Sequence, residues 1–152
     1  MAQVSFNLGP IGFASHLLLI SMTTFESKTN INKPVDVVYR FLADMNNHQK
    51  LMPENITDWA STADEARFNI QNMGSLALKI ENRTENSEVR ITPFERAPFQ
   101  IQLNWILSGT NNATEVRFVI SADLNMMMKM LASGPLQKLA DHEIKMLTEI
   151  FS

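Results

Sequence analysis

The segment at residues 99–122 alternates apolar and polar side chains, and this alternation constrains the fold more than any other feature of the chain. In FQIQLNWILS, the side chains on one face of an extended strand are all apolar: Phe99, Ile101, Leu103, Trp105 and Leu107. A loop rich in Gly and Asn leads into TEVRFVISA, which alternates in the same way, with Val116, Phe118 and Ile120 on one face. A period of two is typical of a half-buried β-strand, so the sequence predicts antiparallel strands with one dry face, that is, one face buried away from solvent.

Further short segments with strand character precede this pair. FESKTNIN begins the series near residue 25, and four more follow: ITDWAS (56–61), ARFNIQ (66–71), SLALKIENR (75–83) and EVRITPF (88–94). Turn sequences such as Thr84-Glu85-Asn86-Ser87 separate them. The short connections favour an antiparallel meander of about seven strands.

Three segments have helical character. PVDVVYRFLADM starts with Pro34 in its first turn and repeats apolar residues at helical spacing. NNHQKLMP follows as a second short helix or turn that ends at Pro53. After Pro135, an apolar stripe predicts a long C-terminal helix that covers the dry face of the sheet; it consists of Leu136, Leu139, Ala140, Leu147 and Phe151.

Composition and charge exclude several classes of function. The net charge is −3 and the basic residues are scattered, so we predict no nucleic-acid binding. The chain has no cysteine, which excludes disulfides, thiolate catalysis and cysteine zinc sites, and this fits a cytoplasmic location. A length of 152 residues suits one domain.

Residues 1–21 differ from the rest because they carry no charged side chain. Their apolar part, Ile11–Ile20, is too short to span a bilayer, and no basic residue precedes it as in a signal peptide. Three interpretations stay open: an upstream start codon with Met22 as the real beginning, a dispensable and poorly ordered tail, or a secretory or membrane anchor. We expect no stable membrane insertion and place a single domain at 22–152.

The two ends of that domain carry a resemblance to a known superfamily. The opening NINKPVDVVYRFLADMNNHQKLMPENI, with Asn32-Lys33 before Pro34, and the closing NMMMKMLASGPLQKLADHEIKMLTEIF are similar to START-like (SRPBCC) proteins. That superfamily includes polyketide cyclase/dehydrase-like, coenzyme Q-binding and plant pathogenesis-related proteins. The resemblance implies an α+β helix-grip fold, in which a curved antiparallel sheet of about seven strands wraps around the long C-terminal helix. Two short helices would follow the first strand.

In that superfamily, a cavity between sheet and helix commonly holds an apolar molecule. From the predicted inward faces, we expect ligand-binding residues on the sheet at Phe68, Leu78, Ile80, Ile91, Phe99, Ile101, Leu103, Trp105, Phe118 and Ile120. From the helical region, we expect Met127, Met130, Leu131 and Leu139 to face them. Core packing is the competing interpretation for many of these residues, and for Trp59 core and cavity are equally favoured.

The methionine run at 126–130 allows three interpretations. Methionines on a helix commonly fill irregular gaps in a core. Adjacent methionines cannot all face one side of a helix, which favours a cavity mouth, with the segment before Gly134-Pro135 acting as a gate. Proline there predicts a kink or a restart of the helix. A partner or membrane surface is the third interpretation.

Residues for catalysis are harder to find in the sequence. The charged strand residues fall on the outward faces, and Ser27, Thr29 and the Trp105 indole are the polar groups expected inside. We expect the histidines at 16, 48 and 142 to be solvated, since no pair has metal-ligand spacing. We therefore name no catalytic residue, metal or cofactor.

The leading hypothesis is a module that binds a small hydrophobic ligand such as a lipid, a polyketide or a quinone-like molecule. A cyclase/dehydrase-type enzyme with a hydrophobic substrate is the first alternative, and it requires an ionisable side chain in the cavity. An interaction domain with a filled core is the second. The sequence leaves the ligand, the pathway and the oligomeric state open.

Overall fold

The computed structural model describes residues 22–97 and 99–152, so the interpretations of residues 1–21 lie outside the described residues. The strands are β1 (Thr23–Ile31), β2 (Ile56–Ser61), β3 (Glu65–Ile70), β4 (Gly74–Thr84), β5 (Glu88–Pro93), β6 (Ile101–Thr110) and β7 (Ala113–Ala122). The helices are α1 (Val35–Leu42), a 3₁₀ helix (Met45–Leu51) and α2 (Met126–Ile150). None of these helices is both long and apolar enough to cross a membrane.

The seven strands form one curved antiparallel sheet in the order β1-β7-β6-β5-β4-β3-β2. The chain runs as a meander from β2 to β7, and β1 pairs with the last strand in a register that sets Phe25 opposite Ile120. On β6, Leu103, Trp105 and Leu107 are buried, as the period-two alternation predicts. The predicted α+β architecture is therefore confirmed.

Helix α1 packs closely on the sheet because a glycine lies beneath it. Its buried face consists of Val38 and Leu42, and its exposed face carries an Asp36–Arg40 pair at 2.9 Å. At Gly109 on β6, a Cβ atom would lie 2.7 Å from the Cβ of Val35. Any larger residue there would push the helix away from the sheet.

Helix α2 is one continuous helix that passes through Pro135, so the predicted restart does not occur. The Asn125 side chain caps it by accepting a hydrogen bond from the Met128 N–H at 2.8 Å. The helix packs mainly against β1, with further contacts to β7 and the 3₁₀ helix, and its buried residues, Ala140, Glu143, Ile144 and Leu147, lie in its second half. Because the helix lies toward the β1 side, the concave face of the other strands is left partly uncovered.

Candidate functional site

A cavity of about 500 Å³ lies between the concave face of the sheet and α2. Residues of β2 to β7 form one wall. The 3₁₀ helix, the following loop and the second half of α2 form the other. This volume is within the range of small-molecule sites, about 300 to 1,000 Å³.

Most of the residues predicted to line a cavity do line it. They are Phe68, Leu78, Ile91, Phe99, Ile101, Leu103, Trp105, Phe118 and Leu139. The alternation in the strands was sufficient to find these sheet residues, since every second side chain faces the same side.

The other predicted residues lie elsewhere. Ile120 is fully buried in the core on β7, and Ile80 is half-buried beside an irregular register in β4. The placement predicted for Met127, Met130 and Leu131 is wrong, because these side chains are 71%, 82% and 73% exposed. They lie on the first turns of α2, away from the part of the helix that packs on the sheet.

The methionine run is therefore neither core filler nor cavity lining over most of its length. Met126 is also exposed, and Met128 is half-buried against the core. The third interpretation of this run, a partner or membrane surface, requires an exposed apolar surface of this kind.

Several apolar lining residues were missed by the sequence analysis. They come from the 3₁₀ helix, its following loop, β2, the β3–β4 region and α2: Met45, Met52, Ile56, Ile70, Met73, Leu76 and Leu136. Trp59 also lines the cavity and stacks on Phe68 with ring centroids 5.2 Å apart.

Two stacked aromatic pairs give the sheet wall its flat apolar surface. Besides Trp59 on Phe68, Trp105 stacks on Phe118 at 4.0 Å. The indole N–H groups of both tryptophans are buried, and neither has a hydrogen-bond partner among the described residues. These nitrogens are sealed off by neighbouring atoms, so the tryptophans offer ring faces and not donors.

The predicted interior hydroxyls do not reach the cavity. Thr29 lies where β1 meets α2, and its hydroxyl is hydrogen bonded to that of Thr148 at 2.9 Å. Ser27 is half-buried on the same strand and does not line the cavity. Thr29 therefore belongs to the packing of helix on sheet.

Glu143 is the most unexpected side chain of the cavity wall. It lies on the buried face of α2, is 4% exposed and lines the cavity. Burial raises its pKa from 4.5 to about 8, because a carboxylate loses its hydration there and no neighbouring charge or donor of the described residues compensates. The carboxyl is therefore largely protonated at neutral pH.

The helical spacing in the sequence did indicate that Glu143 is buried. Residue 143 lies three positions after Ala140 and four before Leu147, which is the spacing of one helix face. Because both neighbours are apolar, the pattern places residue 143 on the buried stripe. The sequence analysis missed this because residue 143 lies within the largely polar segment DHEIK, 141–145.

The expectation that His48 is solvated is wrong. His48 is 2% exposed on the inner side of the 3₁₀ helix and lines the cavity. Its Nε2–H donates to the Leu42 carbonyl oxygen at 2.8 Å, since a carbonyl can only accept. Burial lowers the pKa of His48 below 6.5, although the Leu42 hydrogen bond and the Asp44 charge act in the opposite direction. The ring is thus neutral.

His142 also differs from the expectation. The residue is half-buried at the cavity, and its Nε2 atom is buried with no partner among the described residues. Lys138, one turn earlier, contributes an exposed side chain to the lining. The polar groups of the cavity therefore lie mostly on its helical wall.

Comparison with known proteins shows similarity in structure alone. No protein-family model matches the sequence, and no curated protein is significantly similar to it. The solved structure of the protein XoxI from Bacillus cereus matches with a TM-score of 0.69 and 12% identity, over 86% of this chain and 96% of that one.

Two further solved structures show the class of fold. A START superfamily protein from Mycobacterium smegmatis has a TM-score of 0.63 and 12% identity, over 84% of this chain and 96% of that one. The Zhui aromatase/cyclase from Streptomyces sp. R1128 has a TM-score of 0.64 and 11% identity, over 85% and 93%. The chain therefore has the START-like, helix-grip fold.

Proposed function

We propose that this protein binds a small hydrophobic molecule, such as a lipid, a polyketide or a quinone-like compound, in the cavity between the sheet and α2. The observation that carries the proposal is the cavity of about 500 Å³, whose sheet wall consists almost wholly of apolar and aromatic side chains. Burial of apolar area contributes about 25 cal/mol per Å², so a modest hydrocarbon would bind without a charged anchor.

Native mass spectrometry of the purified protein, followed by organic extraction, is the direct test. A stoichiometric apolar adduct supports the proposal and identifies the ligand class. For a bare protein, a panel of fatty acids, sterols, quinones and aromatic polyketides is scored by melting temperature, since a ligand at 100 times its Kd adds roughly 2.7 kcal/mol. If no compound shifts the transition, the proposal is wrong.

A matched pair of variants locates the binding site. Leu139→Trp adds bulk from α2 into the cavity, whereas Leu131→Trp adds the same bulk to an exposed position of the same helix. We expect Leu139→Trp to lose ligand binding and Leu131→Trp to retain it. Equal binding by both variants would place the ligand elsewhere.

An enzyme of the cyclase/dehydrase type is the second candidate function, and Glu143 is the observation that favours it. A buried carboxyl with a raised pKa is suited to general acid–base catalysis at neutral pH. Incubation with a multi-ketone substrate, followed by mass spectrometry, tests for a ring-closed product that has lost water. Turnover that Glu143→Gln abolishes would support the enzyme, and binding without turnover would favour the carrier.

The cavity disfavours the third candidate, an interaction domain with a filled core. The free volume lies in the centre of the helix-grip fold, where such a domain would have side chains.

A further inference from the structure

Glu143 combines burial, access to the cavity and the lack of a partner. Its side chain lines the cavity, and among the described residues it forms neither a hydrogen bond nor an ion pair. Its carboxyl oxygens are not among the buried side-chain atoms that are sealed from solvent without a partner, so they are reached from the cavity itself. Such a group marks a position where a bound molecule can supply the missing partner.

The surroundings of Glu143 determine which partner is suitable. The titratable side chains that line the cavity with it are His48 from the 3₁₀ helix, and Lys138 and His142 from α2 itself. The sheet wall contributes Ser75 but no titratable group. Among the described residues, none of these groups forms an ion pair with Glu143, and His48 is neutral. The carboxyl therefore faces the cavity as a neutral acid.

A neutral carboxyl has one O–H donor and retains acceptor capacity. A ketone or ester carbonyl accepts from the O–H group, and an alcohol can also donate to the second oxygen. A saturated hydrocarbon offers neither contact, and an anionic headgroup would be disfavoured because burying an unpaired charge is costly.

We infer that Glu143 is the polar anchor of the cavity, which hydrogen bonds to a carbonyl or hydroxyl oxygen on an otherwise apolar ligand. This inference rests on the proposed function, since it assumes that the cavity holds the ligand. The apolar walls supply most of the affinity, and Glu143 sets the orientation of the ligand and selects oxygen-bearing compounds.

Three ligands of equal length test the anchor: a long-chain methyl ketone, the corresponding alkane and the corresponding primary amine. Tryptophan fluorescence reports binding, because Trp59 and Trp105 line the cavity. We expect the wild type to bind the ketone about tenfold more tightly than the alkane, as one hydrogen bond in a dry site predicts.

Two variants at the same position separate the hydrogen bond from packing. Glu143→Gln keeps a donor and an acceptor and should retain the preference for the ketone. Glu143→Leu keeps the volume without polar atoms and should bind ketone and alkane equally. The melting temperature of each variant shows that it is folded, and the ligand comparison in the wild type is independent of either variant.

The outcomes distinguish the anchor from the proposed function. If the wild type binds ketone and alkane equally, the anchor is wrong and the proposed function stands. If the amine binds most tightly, Glu143 acts as a carboxylate and the anchor is equally wrong. If neither these ligands nor the lipophile panel binds, the proposed function fails, and the anchor fails with it.

Discussion

The two halves of α2 differ in a way that their composition does not suggest. The beginning of the first half, 126–133, is rich in methionine, yet Met126 is 81% and Met130 is 82% exposed. The second half contains the polar run DHEIK, yet Ala140 and Leu147 are fully buried and Glu143 nearly so. Burial along this helix therefore follows what lies opposite each turn, and apolar character alone does not predict it.

The elements that face the second half explain the difference. This half lies against β1 and the 3₁₀ helix and closes one side of the cavity. A polar residue on that face is forced into an apolar environment, whereas Met126 and Met130 on the first turns are exposed to solvent.

Core packing should give the largest contrast between the halves. Leu147→Ala removes a fully buried side chain, and we expect a loss of about 3 to 5 kcal/mol in the free energy of unfolding. Met130→Ala in the exposed half should change it by less than about 0.5 kcal/mol. Urea denaturation measures both, and similar losses would contradict the contrast.

The pH dependence of stability should reveal Glu143. The unfolded chain releases this proton near pH 4.5, whereas the folded protein retains it to about pH 8. Stability is therefore lost as pH rises through this interval, by on the order of 5 kcal/mol, since each pH unit between the two pKa values corresponds to about 1.4 kcal/mol.

Glu143→Gln is the control for this effect, because the amide does not titrate. Its unfolding free energy should lack this decline and should exceed that of the wild type at pH 8. If both proteins respond equally to pH, the carboxyl of Glu143 is hydrated.

His48 should produce an effect of opposite sign. Its pKa is lowered in the folded protein, so the unfolded chain binds the proton first as pH falls below 6.5. Stability should therefore decline on acidification below this pH. The measurement is made in the Glu143→Gln background, and the further change His48→Gln should flatten the acid side of the profile.

Hydrogen exchange compares the halves directly. Backbone amides at 126–131 should exchange at least about tenfold faster than those at 140–147, because exposed turns open more easily than packed ones. The gate suggested for the first segment depends on this difference. Protection at 124–134 equal to that at 136–147 would exclude the gate.

Methionine oxidation should have the smallest effect on stability and should report on exposure alone. Peroxide should convert Met126, Met127 and Met130 to sulfoxides as readily as the exposed Met73 in the β3–β4 turn. Met45, which is buried in the 3₁₀ helix, should react slowly. Peptide mass spectrometry gives each rate, and protection of the α2 methionines would indicate that this surface is covered.

The sheet could be predicted well from sequence because its signal is local. Alternate residues of a strand face opposite sides, so Leu103, Trp105 and Phe118 could be assigned to one face without knowledge of the neighbouring strands. The START-like resemblance of the two ends added the position of the cavity.

The helical wall could not be predicted in the same way. For Glu143, the helical spacing was present, but its chemical state depends on the cavity that surrounds it. For His48, burial depends on the Leu42 carbonyl and on the packing of the 3₁₀ helix over Trp105, with ring centroids 6.1 Å apart.

The sequence by itself thus determined the strands, the order of elements and the class of fold, because these follow from side-chain period and turn residues near each position. The tertiary structure alone decided which half of α2 is buried, where the methionines lie and why Glu143 holds its proton. These properties depend on contacts between residues far apart in the chain, and hydration is lost only where such contacts form.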